Sequence, residues 1–530
     1  MNMIKKSTLF CLSFAALTSC NPKPSTLAFP KSSSQEVRIA LNEDCSTCDP
    51  RKARNLCDTN LVRFLFEGLM RKNSQGNLEP ALAENYEISP DGTIYTFTLR
   101  NSNWSNGEKI TAQDVEYSLK SSLEPSFAAP NAYQLFVIKN AKAYFDGKVS
   151  LDSVGIQAKD SKTLEITLDH PTPYFLELLT FHPFFPVSEK WVKAHPEWKD
   201  GSELTAVTSG PYMFEVWQPH SEIVLKKNTN YFDAQKIKLE KIHLNCLDEN
   251  TALNMFEVGD LDWTGSPTCI IPPDAISSLK IEKKLQIAPS AGTQFIRVNC
   301  AAENFKNPKM RKAFAYAVDR SGICDHVMQG GHFPATAFVP PCMGLTKTSF
   351  FELNNFELAK AYFFEVQNES TSNIPFKLSY VATERNQKIA QALQQNFKNA
   401  LGIDVILDPC EGKTFYEKIT KKEYQLALGN WFADFQDPIN FLSIFEYKSN
   451  GSNNTEWENF EYQKLIEEST LAQDPEARGK LLNSAQAVLM NDMPIIPLFH
   501  FTFNYLKKDG LKNANVSPLG YIELKDAYIE

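Results

Sequence analysis

The stretch "QKIAQALQQNFKNALGIDVIL", residues 387–407, constrains the fold most strongly. Ile389, Leu393, Phe397 and Leu401 recur every fourth residue, so a helix here has one apolar face that must be covered. Gly402 stands where a helix stops in left-handed backbone, and the apolar run "IDVIL" follows at once as a strand. Helix into apolar strand is the unit of an α/β layer. The alternation recurs: "TIYTFTLR" has the two-residue period of a half-buried strand after the turn Asp91-Gly92. "ITAQDVEYSLKSSL" then takes helical spacing through Val115, Leu119 and Leu123, with Thr111 as N-cap. Helices around 308–320 and 474–490 carry the pattern through the second half. A chain of 530 residues exceeds one ordinary core, so two or three α/β domains are expected.

The N-terminus carries an export signal. Lys5 and Lys6 precede "STLFCLSFAALTSC", an apolar run too short to span a bilayer but right for a secretory segment. It ends at Leu17-Thr18-Ser19-Cys20, which resembles the lipobox of bacterial lipoproteins and makes Cys20 the expected lipid attachment point. The following "NPKPSTLAFPKSSSQ" is rich in Pro and Ser, as a flexible tether would be. Removing residues 1–19 takes away two lysines and no acid, so the net charge of −9 becomes −11. That disfavours nucleic acid and anionic lipid as main partners. Nine cysteines remain beyond Cys11 and Cys20, an odd number that cannot all pair within one chain. Cys45 and Cys48 have C-x-x-C spacing, but no second pair or histidine pair accompanies them, so a local disulfide, with Cys57 as a further candidate, is expected rather than metal.

Catalytic signatures are missing. "GKT" at 412–414 has Leu407 where a phosphate loop needs Gly, and neither G-x-S-x-G nor H-E-x-x-H occurs. No cofactor or metal is therefore expected, nor an enzyme.

Residues 66–119 contain Glu67-Gly68-Leu69, Pro80 with Leu82-Ala83, Asp91-Gly92, Phe97 with Leu99-Arg100, Trp104, Asn106-Gly107 and Thr111-Ala112 with Asp114-Val115. In that order they resemble the signature region of the peptide and nickel class of extracellular solute-binding proteins. "SGPYMF" at 209, "VLKKNTNYF" at 224, "ALNMFEVGDLD" at 252 and "NPKMRKAFAYAVDR" at 307 extend the resemblance over the mature chain. Nearest are the oligopeptide-binding proteins of ATP-driven (ABC) importers. The resemblance implies a two-lobed α/β periplasmic-binding-protein-like fold with an extra inserted domain. Lobe I would comprise 37–57, 181–288 and 500–530, inserted domain II 58–180, and lobe III 289–499, after a signal peptide at 1–19 and a tether at 20–36.

"NWFADFQDP", residues 430–438, sets Asp434 and Asp437 among aromatic rings, where a carboxylate stays charged only if a cation or several donors replace lost water. Trp431, Ala433 and Asp434 match the W-x-A-D motif whose Asp, in similar oligopeptide binders, takes the peptide's α-ammonium. Asp437, before Pro438, has the character of a turn former. Asn430, Trp431, Arg385, His500 and Phe501 are candidate cleft-wall residues, Arg385 lying where some relatives hold the peptide carboxylate, while His500 and Phe501 could equally pack the hinge. The sequence departs from the pattern at Leu428, where a related binder carries Arg, and the usual cross-lobe disulfide positions are not both Cys.

The implied partners are peptides and the permease subunits of an ABC importer, with membrane contact only through the N-terminal lipid. A monomer on the extracytoplasmic or periplasmic face of the cell membrane is expected. The alternatives are a nickel-chelate, haem or other small-solute binder on the same fold, or a surface receptor or adhesin-like lipoprotein with a vestigial cleft.

Overall fold

A computed structural model describes residues 35–196, 198, 206–369 and 374–530. The expected signal segment, the expected lipid-attachment residue Cys20 and nearly all of the expected tether lie outside the described residues.

The strands run in chain order β1 (Glu36–Leu41), β2 (Met70–Lys72), β3 (Leu78–Pro80), β4 (Ala83–Ile88), β5 (Ile94–Leu99), β6 (Ile156–Ala158) and β7 (Thr163–Thr167). Then follow β8 (Tyr212–Gln218), β9 (Glu222–Lys227), β10 (Lys241–Cys246), β11 (Trp263–Gly265), β12 (Gln286–Val298) and β13 (Phe333–Pro334). The last of the main sheet are β14 (Lys377–Val381), β15 (Ile406–Cys410), β16 (Leu426–Phe432) and β17 (Ile495–Lys507). One long mixed sheet takes the order β15-β14-β16-β12-β17-β11-β1-β10-β9-β8, with β13 also on β17. A separate antiparallel sheet, β4-β5-β7-β6, builds a smaller domain.

Sequence period decides which faces are buried. In β5, Tyr95, Phe97 and Leu99 point inward and the residues between them are half-exposed. The helix Ala112–Ser122 starts with a capping box between Thr111 and Asp114, and Val115 and Leu119 are sealed in the core. The helix Glu384–Leu401 buries Ile389, Leu393 and Phe397 and stops at Gly402, whose φ of 73° suits glycine. Its strand begins slightly later than the apolar run suggests, at Ile406.

Two strands join the lobes. β12 and β17 each have 13 residues and run through both halves of the large sheet. Gln286–Pro289 pair with Tyr505–Thr502, and Thr293–Arg297 pair with His500–Ile495. Between these blocks Ser290, Ala291 and Gly292 stand opposite Phe501, and the register shifts. Backbone bonds from Ala291 N to Pro518 O (2.7 Å) and from Ala433 N to Ala291 O (2.9 Å) flank the break. Such a local break in a ladder is where two sheet halves can swing.

The cysteine expectation needs correction. Cys45, Cys48 and Cys57 are all free thiols, and the Cys45 thiol hydrogen-bonds with Cys57, not Cys48. The loop is wound around Asp58, whose carboxylate accepts Ser46 N (2.6 Å), Ser46 Oγ (2.7 Å) and Thr47 N (3.3 Å). This draws Cys45 onto the first helical turn, where Cys57 sits, and leaves Cys48 buried apart from it.

Candidate functional site

The site forms at the end of β16, where the strand leaves the large sheet and meets the smaller domain. Asp434 Oδ2 accepts hydrogen bonds from Tyr133 Oη (2.9 Å) and Gln134 Nε2 (2.8 Å), both from the smaller domain. Its backbone N donates to Asn440 Oδ1 (3.4 Å), which also takes Trp431 Nε1 (2.9 Å). Among the described residues no Lys or Arg pairs with this carboxylate. Burial strips its water and pushes its pKa up, and the neutral donors Tyr133, Asn440 and Gln134 offset this only in part. Asp434 is thus a desolvated negative charge answered by dipoles alone.

Asp437 is answered internally. Arg478 Nη1 and Nη2 reach its two oxygens at 2.7 and 2.8 Å, and Asp437 Oδ1 also accepts Ile439 N at 2.9 Å. The turn role expected of it therefore comes with an ion pair. The stretch between the two acids also faces the smaller domain. Phe435 stacks on Tyr174 with centroids 5.3 Å apart, and Lys72 Nζ reaches Gln436 Oε1 at 3.3 Å and Glu177 at 2.8 Å.

β16 has a free edge. It pairs with β12 along its whole length but with β14 only at Leu426 and Ala427, so no described strand covers the other edge from Leu428 to Phe432. Asn430 and Phe432 are exposed there and Trp431 is half-buried. Phe432 lies on Gly292: a Cβ at that glycine would stand 2.4 Å from the Phe432 ring and 3.2 Å from Phe501. Phe432 and Phe501 pack at 4.8 Å, Phe499 and Phe501 at 5.1 Å, and His332 closes the cluster 5.7 Å from Phe501.

The other sequence candidates separate. Arg385 is exposed, makes no ion pair among the described residues, and places its guanidinium 5.9 Å from the Phe501 ring centre. Phe501 is buried beneath Phe432. His500 does not line the cleft: it is buried in the lobe crossing, 2.8 Å from Thr293 Oγ1. Since Thr293 gives its own proton to Phe338 O, His500 Nδ1 must donate, and burial pushes its pKa down to about 3. Tyr133, Gln134, Gly292, Phe432 and Arg478 were not singled out from sequence. "NAYQLF" carries no motif that marks Tyr133 and Gln134.

A cavity of about 830 Å³ lies elsewhere, among Arg51, Lys120, Lys193 and Trp198. Its cations are already taken: Arg51 by Asp49 (2.8 Å), Lys120 by Glu116 (2.6 Å) and Lys193 by Glu189 (2.7 Å). A cavity of about 530 Å³ includes Lys72 and Gln436 and so adjoins the Asp434 loop.

Two lobes joined by a two-strand crossing, with an uncompensated carboxylate and a bare strand edge between domains, define a two-lobed solute-binding protein. The chain belongs to the bacterial extracellular solute-binding proteins, family 5, whose middle region matches residues 77–453. It is 37% identical over 504 residues to the oligopeptide-binding protein OppA of Bacillus subtilis, covering 93% of this chain and 92% of that protein. The periplasmic murein tripeptide-binding protein MppA, in its unliganded open form, superposes with a TM-score of 0.83 at 29% identity, covering 94% of this chain and 98% of the other. Haemophilus influenzae OppA in complex with the peptide RPPGFSPFR gives 0.74 at 27% identity, covering 94% and 99%.

Proposed function

We propose that this chain binds oligopeptides between its lobes and delivers them to the permease of an ABC importer. The observation that carries the reading is Asp434, a half-buried carboxylate with no cationic partner among the described residues, at the end of an unpaired strand edge. An α-ammonium supplies the missing charge, and every peptide with a free N-terminus has one. The peptide then extends as an added strand along Leu428–Phe432; starting beyond the C-terminal end of β16, it runs antiparallel to it. Main-chain bonds of this kind ignore side chains, which suits a carrier of varied sequences. Arg385 is the candidate for a carboxylate farther along the ligand. The protein acts as a monomeric carrier rather than an enzyme, held at the outer face of the cell membrane by lipid on Cys20.

Mass spectrometry of ligands retained through purification should show a mixed set of peptides. In titration calorimetry, N-acetylation of a bound peptide should weaken it by about 2–5 kcal/mol, the scale of a desolvated charge pair losing one partner. Asp434→Asn should bind free peptide poorly and discriminate little between the two forms. Equal affinity of wild-type protein for free and acetylated peptide would overturn the ammonium site.

A further inference from the structure

Phe432 has an unusual setting for a large apolar side chain. It is 46% exposed although it stands at the junction of the lobes, on the free edge and two residues from Asp434. Its underside is fixed: the ring rests on the bare backbone of Gly292, and Phe501 holds it at 4.8 Å. Phe501 is itself backed by Phe499 and His332. Gly292 and Phe432 are paired across β12 and β16, so the missing side chain on one strand makes the bed for the ring on the other. The outcome is a rigid aromatic shelf with one face open.

Given a peptide anchored at Asp434, as proposed above, we propose that this shelf is a side-chain subsite that selects a large aliphatic or aromatic residue at the second or third position of the peptide. Position follows from strand geometry. A peptide antiparallel to β16 advances one residue for each residue it retreats along that strand, so an N-terminus level with Ala433 or Asp434 sets residue two or three opposite Phe432. Residues directly opposite in antiparallel strands share a face. The side chain that falls there meets Phe432 on the side away from Gly292, and burying an apolar group against a fixed ring is favourable where a polar or charged group would lose hydration unrepaid. Main-chain bonding stays indifferent to sequence, so the shelf adds a preference at one position without closing the carrier to other peptides.

Tetrapeptides of alanine with Phe, Leu, Ala or Asp at each position in turn, titrated calorimetrically against the full-length protein, test this. Wild-type protein should prefer Phe and Leu over Ala at position two or three by about tenfold or more, the scale on which a hydrophobic pocket separates side chains of different size. Asp should be weaker still. The readout is the ratio between peptides, which Phe432→Ala should bring close to one. Gly292→Ala should do the same by pushing the ring off its bed, and its backbone angle is one that alanine tolerates. Asp434→Asn should weaken all peptides together and keep the ratio. No preference at these positions in wild-type protein, or a preference that survives both Phe432→Ala and Gly292→Ala, overturns the subsite while leaving the peptide reading intact. Failure of every tetrapeptide to bind overturns both.

Discussion

Asp437 shares its charge with Arg478 through two hydrogen bonds, whereas Asp434 has only neutral donors, the Tyr133 hydroxyl and the amides of Gln134 and Asn440. Burial has therefore raised the pKa of Asp434 above the ordinary carboxylate value. Between the unfolded and folded values the folded chain holds more protons than the unfolded chain, so ligand-free stability falls as pH rises through that interval. A charged Asp434 is a cost to folding that, in the function proposed above, a ligand amine would relieve. Asp434→Asn should accordingly leave the thermal midpoint of the ligand-free protein unchanged or raise it, since the amide oxygen can still accept from Tyr133 and Gln134. Asp437→Ala strands the Arg478 guanidinium in a largely buried site and should cost up to about 3–5 kcal/mol. Calorimetric melting of both variants decides the matter: a loss in Asp434→Asn as large as in Asp437→Ala would make Asp434 a structural acid.

At the scale of elements, the buried histidines tie distant segments together while staying neutral. His182 donates from Nδ1 to Pro50 O at 2.8 Å and its pKa is pushed down to about 4, while His500 on β17 is held at about 3, both by burial. An unfolded chain protonates these rings near pH 6.5, so their contribution is complete above that value and is lost as pH falls toward about 4. Each ring should take away roughly 2 kcal/mol by pH 5, from about 1.4 kcal/mol per pH unit. Urea unfolding should therefore show lower stability at pH 5 than at pH 7, and His500→Gln should shrink the difference; an unchanged difference would remove His500 from this account. The same elements show what sequence can carry. The helix Glu384–Leu401 and its stop at Gly402 were legible because helical period and capping are local. The two carboxylates were legible as residues that need partners, but the partners were not: Tyr133 lies 301 positions from Asp434, and His500 lies 207 from Thr293. Gly292 looks like any strand glycine until Phe432 is placed over it. Cys45 misled for the same reason, since C-x-x-C spacing is visible in sequence and the turn around Asp58 that directs the thiol to Cys57 is not.

For the whole molecule, the large sheet is continuous across both lobes but among the described strands only β12 and β17 run through both halves, and their register breaks at Ser290–Gly292 opposite Phe501. Domain rotation is absorbed at such points because few backbone angles have to change. The candidate ligand groups gather beside this break: Ala433 is bonded to Ala291, Asp434 follows it, and Phe432 rests on Gly292. A ligand placed there touches the pivot and both lobes at once. A peptide that binds the closed arrangement better than the open one must shift the population toward closure by its differential affinity. Small-angle X-ray scattering should therefore show the radius of gyration contract as peptide is added, saturating with the calorimetric binding curve. An N-acetylated peptide should produce the contraction only at much higher concentration, because the charge that draws Asp434 and the ligand together is gone. A radius that stays constant at saturating free peptide would mean that the ligand binds without closing the lobes, and the crossing at Phe501 would then be a static joint.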